Sequence, residues 1–279
     1  MSGYRFCRTD DIPLLVEAYN ACCGDRRQTE PPLTVDGFKL GARELGLWPS
    51  SCMIAFDGLA PIAVLLGAKR EDSNLVYRLA VRPGHERRGH GRHLLDSLRR
   101  KVAILGPRRL VVEVPAESTG VCRFFDRCGF AAERRYGDFV SDRTPAAFPL
   151  AASLVSAVTV EDLVQSGALD PSIPRPWGRS LATMVSRSRE IDGLAIASDE
   201  RIEAYVLHRA SSGACELVAL GAARNELLAP LLADLHRRAG VTPRIRKVAE
   251  DEIPEALLAA LGFRRETEYI GYAANMRAP

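Results

Sequence analysis

One segment concentrates the groups that can do chemistry: Val81-Arg-Pro-Gly-His-Glu-Arg-Arg-Gly-His-Gly-Arg-His-Leu-Leu95. It leads from an apolar run into a stretch with helical spacing. A helix start has unpaired backbone N–H groups and a partial positive charge, so it suits a phosphate. Gly89 and Gly91 remove the Cβ atoms that would hold a phosphate away from those amides. Arg87, Arg88 and Arg92 add guanidinium groups able to make charge-assisted hydrogen bonds. A solvated run of charge is the alternative, and the two glycines favour the anion site. The run lacks a Gly-Lys-Ser/Thr ending, so it is no nucleoside-triphosphate loop. Nor does it follow a first strand as Gly-x-Gly-x-x-Gly, which disfavours a dinucleotide fold. His90 and His93 are crowded by arginines, and no metal site is expected there.

The surrounding sequence says what positions this loop. A strand over Tyr4–Arg8 leads into a helix near Thr9 or Asp10, and Val35–Leu45 reads as a second helix with Thr34 as its N-cap. Cys52–Phe56 and Ile62–Gly67 form a hairpin around Asp57-Gly58, and Asn74–Val81 is a further strand ended by Pro83-Gly84. Leu94, Leu95, Leu98 and Val102 fall at helix spacing. Leu110–Val114 reads as a strand buried on both faces. Val121, Phe124, Phe125 and Cys128 return to helix spacing, and Gly129 is placed to close that helix before a strand from Phe130. The order is that of an α/β (α+β) fold with a mixed, mostly antiparallel sheet flanked by helices.

The second half repeats this order. Leu194–Ser198, Ala204–Arg209 and Glu216–Leu220 read as strands, and Leu231, Leu232 and Leu235 echo Leu94, Leu95 and Leu98. Leu257-Leu258-x-x-Leu261-Gly262-Phe263 matches Phe124-Phe125-x-x-Cys128-Gly129-Phe130 at an offset of 133, from 262 − 129. Two tandem domains are expected, 1–150 and 151–279, with Thr144, Pro145 and Pro149 in the connection. The second copy is degenerate: Gly221-Ala-Ala-Arg-Asn-Glu-Leu-Leu-Ala229 stands where the first has its loop, with a single arginine.

Composition narrows the classes. The 279 residues carry 38 Lys plus Arg against 35 Asp plus Glu, a net charge of +3 that gives no general mandate for nucleic-acid binding. Aromatic residues are 6% of the chain, too few to suggest base stacking along the arginine cluster. No run approaches the roughly 20 apolar residues of a membrane span, and the start MSGYRFCRTDD lacks a signal core. The seven cysteines include the adjacent pair Cys22 and Cys23, which fits reduced thiols and a cytoplasmic location better than a disulfide framework.

The loop and its flanks resemble the GNAT family of acyl-CoA N-acyltransferases over roughly residues 4 to 138. The family's loop, Gln/Arg-x-x-Gly-x-Gly/Ala, falls on Glu86-Arg87-Arg88-Gly89-His90-Gly91. Its later pattern, Asn-x-x-Ala-x-x-x-Tyr-x-x-x-Gly-Phe, runs from Ser118 through Phe125 to Gly129-Phe130. The resemblance implies two tandem GNAT folds and acetyl-CoA as cosubstrate, without a metal. It implies a pantetheine arm on the backbone of Leu79, Ala80 and Val81, and an oxyanion stabilised by a strand N–H of Ala80 or Val81. The amine acceptor would be a small molecule or a peptide. Glu113 is the candidate base, with a structural or solvated glutamate as the alternative, and Tyr77 and Arg78 are candidates to face the cleft. The second copy is expected to pack as an intramolecular pseudo-dimer partner, and further oligomers stay open.

Three residues depart from the family pattern. Glu86 stands for Gln or Arg, Ser118 for Asn, and Phe125 for the tyrosine that commonly protonates the leaving thiolate. Tyr136 and Cys122 are candidate substitutes, with nothing to choose between them. The departures keep a second reading open, a non-catalytic acyl-CoA-binding sensor or scaffold. The acceptor itself is undetermined, since its contacts are expected from the loop spanning Cys22 to Thr34, including Asp25, Arg26, Arg27 and Glu30.

Overall fold

The computed structural model describes residues 2–23, 31–141, 155–211 and 214–276. The residues Asp25, Arg26, Arg27 and Glu30 and the expected boundary near 150 lie outside them. Contacts divide the chain into two units, neither of them continuous in sequence. Unit 1 holds residues 1–114, 118–133 and 271–279, and unit 2 holds 115–117 and 134–270.

Unit 1 begins with β1 (Ser2–Phe6), two residues earlier than expected, because the Asp11 carboxylate takes the Arg8 N–H at 2.8 Å and turns the chain. A single 3₁₀ turn leads into α1 (Ile12–Cys23). The next helix, α2 (Val35–Leu45), is capped as its sequence demands: Thr34 Oγ1 accepts from the Gly37 N–H, and Gly46 closes it at φ 71°. Then β2 (Met53–Asp57) and β3 (Ala60–Lys69) form the expected hairpin, and β4 (Asn74–Val81) lies antiparallel to β3. The central β3 is buried continuously from Ile62 to Ala68.

The helix α3 (His90–Leu105) buries Leu94, Leu95, Leu98 and Val102, the stripe read from its spacing. It leads to β5 (Arg109–Pro115), parallel to β4, and then to α4 (Thr119–Arg127). Gly129, at φ 77°, ends α4 with the Phe130 N–H donating to Phe125 O at 3.1 Å. Contrary to expectation, β5 is not buried on both faces. Leu110, Val112 and Val114 are buried while Val111 and Glu113 are half-exposed, so only one face is packed. Beyond β5 the unit 1 sheet is continued by the end of the last strand, and the Met276 N–H donates to Arg108 O at 2.7 Å.

In unit 2 most of β6 (Ala131–Ser141) stands beside β11 (Pro243–Val248). The order continues through β10 (Ala214–Ala222), β9 (Ile202–Ser211), β8 (Asp192–Ala197) and β7 (Val155–Ala157). Short helices α5 (Val160–Gln165) and α6 (Leu181–Ser186) precede β8. The core gathers on α7 (Leu228–Ala239) and α8 (Glu255–Ala260), with Leu231, Leu232, Leu235 and Leu258 buried. The last strand, β12 (Phe263–Asn275), gives residues 263–270 to unit 2 and 271–275 to unit 1.

The repeat extends to an irregularity that sequence could not show. Tyr77 is an extra residue in β4, between Val76 opposite Gly67 and Arg78 opposite Leu66. Val218 is likewise extra in β10, between Leu217 opposite His208 and Ala219 opposite Leu207. The bulges are 141 residues apart (218 − 77), against 133 for the Gly-Phe pairs, so the second copy is shorter by eight residues between these marks. The stretch Arg82–Gly89 of the first copy is of that length.

Unit 1 therefore depends on residues at the far end of the chain. Tyr272 is 4% exposed, and its ring stacks on Phe125 with centroids 6.3 Å apart. Tyr272→Ala is expected to cost roughly 3 kcal/mol, the usual scale for a buried aromatic. Denaturant unfolding of the full chain measures it, and a loss below 1 kcal/mol would remove Tyr272 from the core of unit 1.

Candidate functional site

Strands β4 and β5 pair only at Asn74 with Leu110 and Leu75 with Val111, and then separate. The bulge at Tyr77 comes two residues after the last pair. Bulges increase local twist and turn a strand away from its neighbour. Beyond the bulge the strand is regular, so its polarity can be read from one bond. The Arg82 N–H donates to Ile62 O at 2.8 Å, toward β3. Alternate residues point alike, so Arg78 and Ala80 also turn their backbone groups to β3. The N–H groups of Leu79 and Val81 face the gap. Of the two N–H groups considered from sequence, this polarity favours Val81 over Ala80.

At the head of the gap sits the loop. Gly84 and Gly89 have φ of 84° and 87°, and Arg87 adopts φ 58°, a left-handed backbone uncommon for a residue with a Cβ. Gly89 is the N-cap of α3, and the first intrahelical bond runs from the His93 N–H to Gly89 O at 2.9 Å. The amides of His90, Gly91 and Arg92 precede it and have no helical acceptor. A Cβ on Gly91 would meet Val81 Cγ2 at 3.6 Å, Leu79 Cδ2 at 3.8 Å and Phe124 Cζ at 3.8 Å. Gly91 thus faces the side chains of the splayed strand, so the loop and the gap form one continuous surface.

The side chains named from sequence divide in role. Arg87 and Arg88 are exposed at the loop. Arg92 donates to Arg127 O at 2.6 Å, so its guanidinium also holds the end of α4, where a cation is favoured. The His90 ring is turned inward and 8% exposed, with Nδ1 2.7 Å from the Tyr4 hydroxyl. Its contribution at the helix start is its amide. The His93 ring lies against Tyr4 with centroids 3.9 Å apart and planes tilted by 37°. Ser118 begins α4 through its carbonyl, which accepts from Val121 and Cys122. Phe125 is 3% exposed and packed edge-on to Phe124 and Phe130, a core position.

Glu113 lies near enough to Arg70 for their charges to interact. Burial pulls the Arg70 guanidinium down to about 10, against the charges of Asp72 and Glu113. The hydroxyl of Tyr272 meets Cys122 and Asp126 on α4, and burial with these contacts pushes it up to about 12. Sequence reasoning missed Tyr272 and Arg70 because neither lies in a motif. Of the two substitutes considered for Phe125, Cys122 is buried in unit 1 beside Tyr272, and Tyr136 is half-buried in unit 2.

In unit 2 the equivalent strands pair through Leu217 with Ile245 and then part in the same way. Their gap is filled from within. Arg179, 5% exposed, donates from Nε to the bulge carbonyl of Val218 at 2.8 Å. The same guanidinium reaches Arg246 O at 3.2 Å and Lys247 O at 3.3 Å on β11. Glu252 pairs with it at 2.6 Å and with Arg175 at 3.2 Å, all three nearly fully buried. The chain at the head of this gap has no left-handed glycine and enters α7 without a side-chain cap. Its arginine, Arg224, is paired with Glu226 at 3.6 Å.

Residues 12–130 match the Acetyltransferase (GNAT) family. No curated protein sequence matches the chain. Among solved structures it is similar to a GCN5-related N-acetyltransferase from Sphaerobacter thermophilus, with 16% identity, TM-score 0.67, and coverage of 99% of this chain and 96% of that one. It is also similar to a tandem GNAT protein from the clavulanic acid biosynthesis pathway, with 17% identity, TM-score 0.68 and 99% coverage of both chains. A GCN5-related N-acetyltransferase from Anabaena variabilis shares 12% identity at TM-score 0.65, covering 99% of this chain and 73% of that one. These likenesses show the fold, and it is the tandem GNAT fold. Among the described residues no helix is long and apolar enough to cross a membrane, and no group of three His, Cys, Asp or Glu is placed to hold a metal ion.

Two substitutions separate the loop glycines by what each does. Gly89→Ala places a Cβ at φ 87° and should cost about 1 kcal/mol. Gly91→Ala meets only ordinary contacts inside a helix and should be neutral or stabilising by up to about 1 kcal/mol. Thermal unfolding of the two variants reads the difference, and equal effects would refute the assignment. In unit 2, Arg179→Met leaves Glu252 with Arg175 and takes the donor from three backbone carbonyls, and is expected to cost about 3 kcal/mol by denaturant titration.

Proposed function

We propose that unit 1 transfers an acyl group, acetyl foremost, from acyl-coenzyme A to an amine, a reading supported by the match of residues 12–130 to the Acetyltransferase (GNAT) family. The observation that carries this reading is the continuity of the loop with the gap. Amides at the head of α3 and the exposed Arg87 and Arg88 suit a pyrophosphate, while the Leu79 and Val81 N–H groups suit the amide-rich pantetheine arm. The copy within 1–150 carries the loop, and 151–279 is the degenerate copy without it.

In the chemical step a neutral amine nitrogen bonds to the thioester carbonyl carbon. The carbonyl oxygen gains negative charge, which a gap-facing N–H such as that of Val81 stabilises. The C–S bond then breaks, the thiolate leaves, and the amine loses one proton. Glu113 is a candidate to receive that proton. Phe125 supplies no proton to the thiolate. A thiol of ordinary pKa near roughly 8.5 is a tolerable leaving group, so its absence slows transfer without forbidding it.

Phe125 and the degenerate second copy also favour a second reading, an acyl-CoA-binding sensor that does not turn over. Calorimetric titration of the full chain with acetyl-CoA, followed by thiol release across an amine panel, separates the two. One site per chain is expected, weakened at least tenfold by the double change Gly89→Val with Gly91→Leu. Two sites would overturn the assignment of the second copy. Binding without thiol release from any amine would favour the sensor.

A further inference from the structure

Strand β1 meets α3 at two places. Alternate residues of a strand share a face, and Tyr4 and Phe6 both meet the helix, while Arg5 pairs with Asp11 at 2.7 Å. In the second half of α3, Lys101 places its ammonium 4.2 Å from the centre of the Phe6 ring. At the head of the helix Tyr4 meets two opening residues. Its hydroxyl shares a hydrogen bond of 2.7 Å with His90 Nδ1, and its ring centre lies 3.9 Å from that of His93. His85, within the loop, has its ring 6.4 Å from the same His90 imidazole. His90 is the first residue of α3, yet it is buried.

A helix start is ordinarily held by a Ser, Thr, Asp or Asn cap, whose side-chain oxygen accepts from the second or third amide. In α3 that place is taken by Gly89, and no side-chain cap is made. An ordinary cap would occupy an amide that a pyrophosphate needs, so the open start serves binding. It also leaves the first turn without a local brace, and glycine, with the most backbone freedom to lose, adds to that looseness. Tyr4 braces the turn from another strand, and its hydrogen bond goes to an imidazole, which spares the amides. The geometry points to Tyr4 as a positioning residue, an assignment that rests on the acyl-CoA reading. Through His90 and His93 it holds the free amides of His90, Gly91 and Arg92 in place for the pyrophosphate. A turn ordered before binding lowers the entropy that the ligand must otherwise remove.

Two measurements on the full chain test this: calorimetric titration with acetyl-CoA, and amide hydrogen exchange of the unliganded protein. Tyr4→Phe keeps the ring against His93 and removes the hydroxyl. It should weaken acetyl-CoA about fivefold, the factor that one hydrogen bond of about 1 kcal/mol gives. Exchange should quicken by a similar factor at the amides of His93 to Leu95, beginning with the bond from His93 to Gly89 O, and stay unchanged at Leu98 to Val102. Phe6→Leu is the control for a merely structural role, because it loosens β1 from the far half of α3. It should leave acetyl-CoA affinity within about 1.5-fold. In a His90→Phe background, Tyr4→Phe should add less than about twofold, because the bond it removes is already gone. Affinity left within about 1.5-fold by Tyr4→Phe, or weakened equally by Phe6→Leu, would overturn this inference and leave the acyl-CoA reading standing. Weaker binding with unaltered exchange, or additive losses in the His90→Phe background, would overturn it in the same way. Failure of the unsubstituted chain to bind acetyl-CoA would overturn the acyl-CoA reading, and this inference with it.

Discussion

The separation of β4 from β5 is the constraint on which the rest of unit 1 depends. Two parallel strands that stayed paired would satisfy each other's backbone groups and leave nothing for a ligand. Here pairing stops after Leu75 and Val111, and the extra residue Tyr77 changes the strand's side-chain sequence at that point. Three consequences follow from one inserted residue. The N–H groups of Leu79 and Val81 point into the gap. The side chains of Leu79 and Val81 support the start of α3. Arg78 and Arg82 come to lie on the side where α1 packs. Backbone polarity and the two side-chain faces of β4 are therefore set together by strand parity.

The second copy keeps the same irregularity and reaches the opposite result. Its bulge at Val218 and its parted strands reproduce the scaffold, but the exposed carbonyls are met by Arg179. Burying a guanidinium is costly unless it is paired and fully hydrogen-bonded, and Glu252 with three backbone carbonyls supplies those partners. The network is stabilising in place because removal of Arg179 would take the donor from three buried backbone carbonyls, and removal of Glu252 would leave two buried guanidinium groups without their carboxylate. The chain at the head of this gap is the shorter one.

The loop itself is built with local strain. Arg87 at φ 58° and Gly89 at φ 87° bend the chain so that the first turn of α3 opens toward the gap. Packing holds that bend from several directions. His90 is anchored to Tyr4, Arg92 to the end of α4, and Leu94 and Leu95 to the core. The end of the chain adds to the same support, since Tyr272 lies against Phe125 in α4. Unit 1 draws on residues 271–276, so its integrity is a property of the full chain.

Much of this was legible in the sequence. Helix and strand periods placed α2, α3, β4 and β5 because burial imposes those periods directly, and Gly89, Gly129 and Gly262 marked backbone that other residues adopt with difficulty. The order of elements and the repeated Leu-Gly-Phe and Cys-Gly-Phe marks revealed the duplication. What sequence left undecided was every feature that depends on which strands meet and in what register. A bulge leaves no residue signature, so the face of β4 that carries Arg78 could not be known. Nor could sequence show that Arg70 lies by Glu113, that Arg179 fills the second gap, or that Tyr272 belongs with unit 1. Those pairings join residues far apart in the chain, and the sequence fixes local conformation without fixing distance. Only the folded chain brings them within reach of one another.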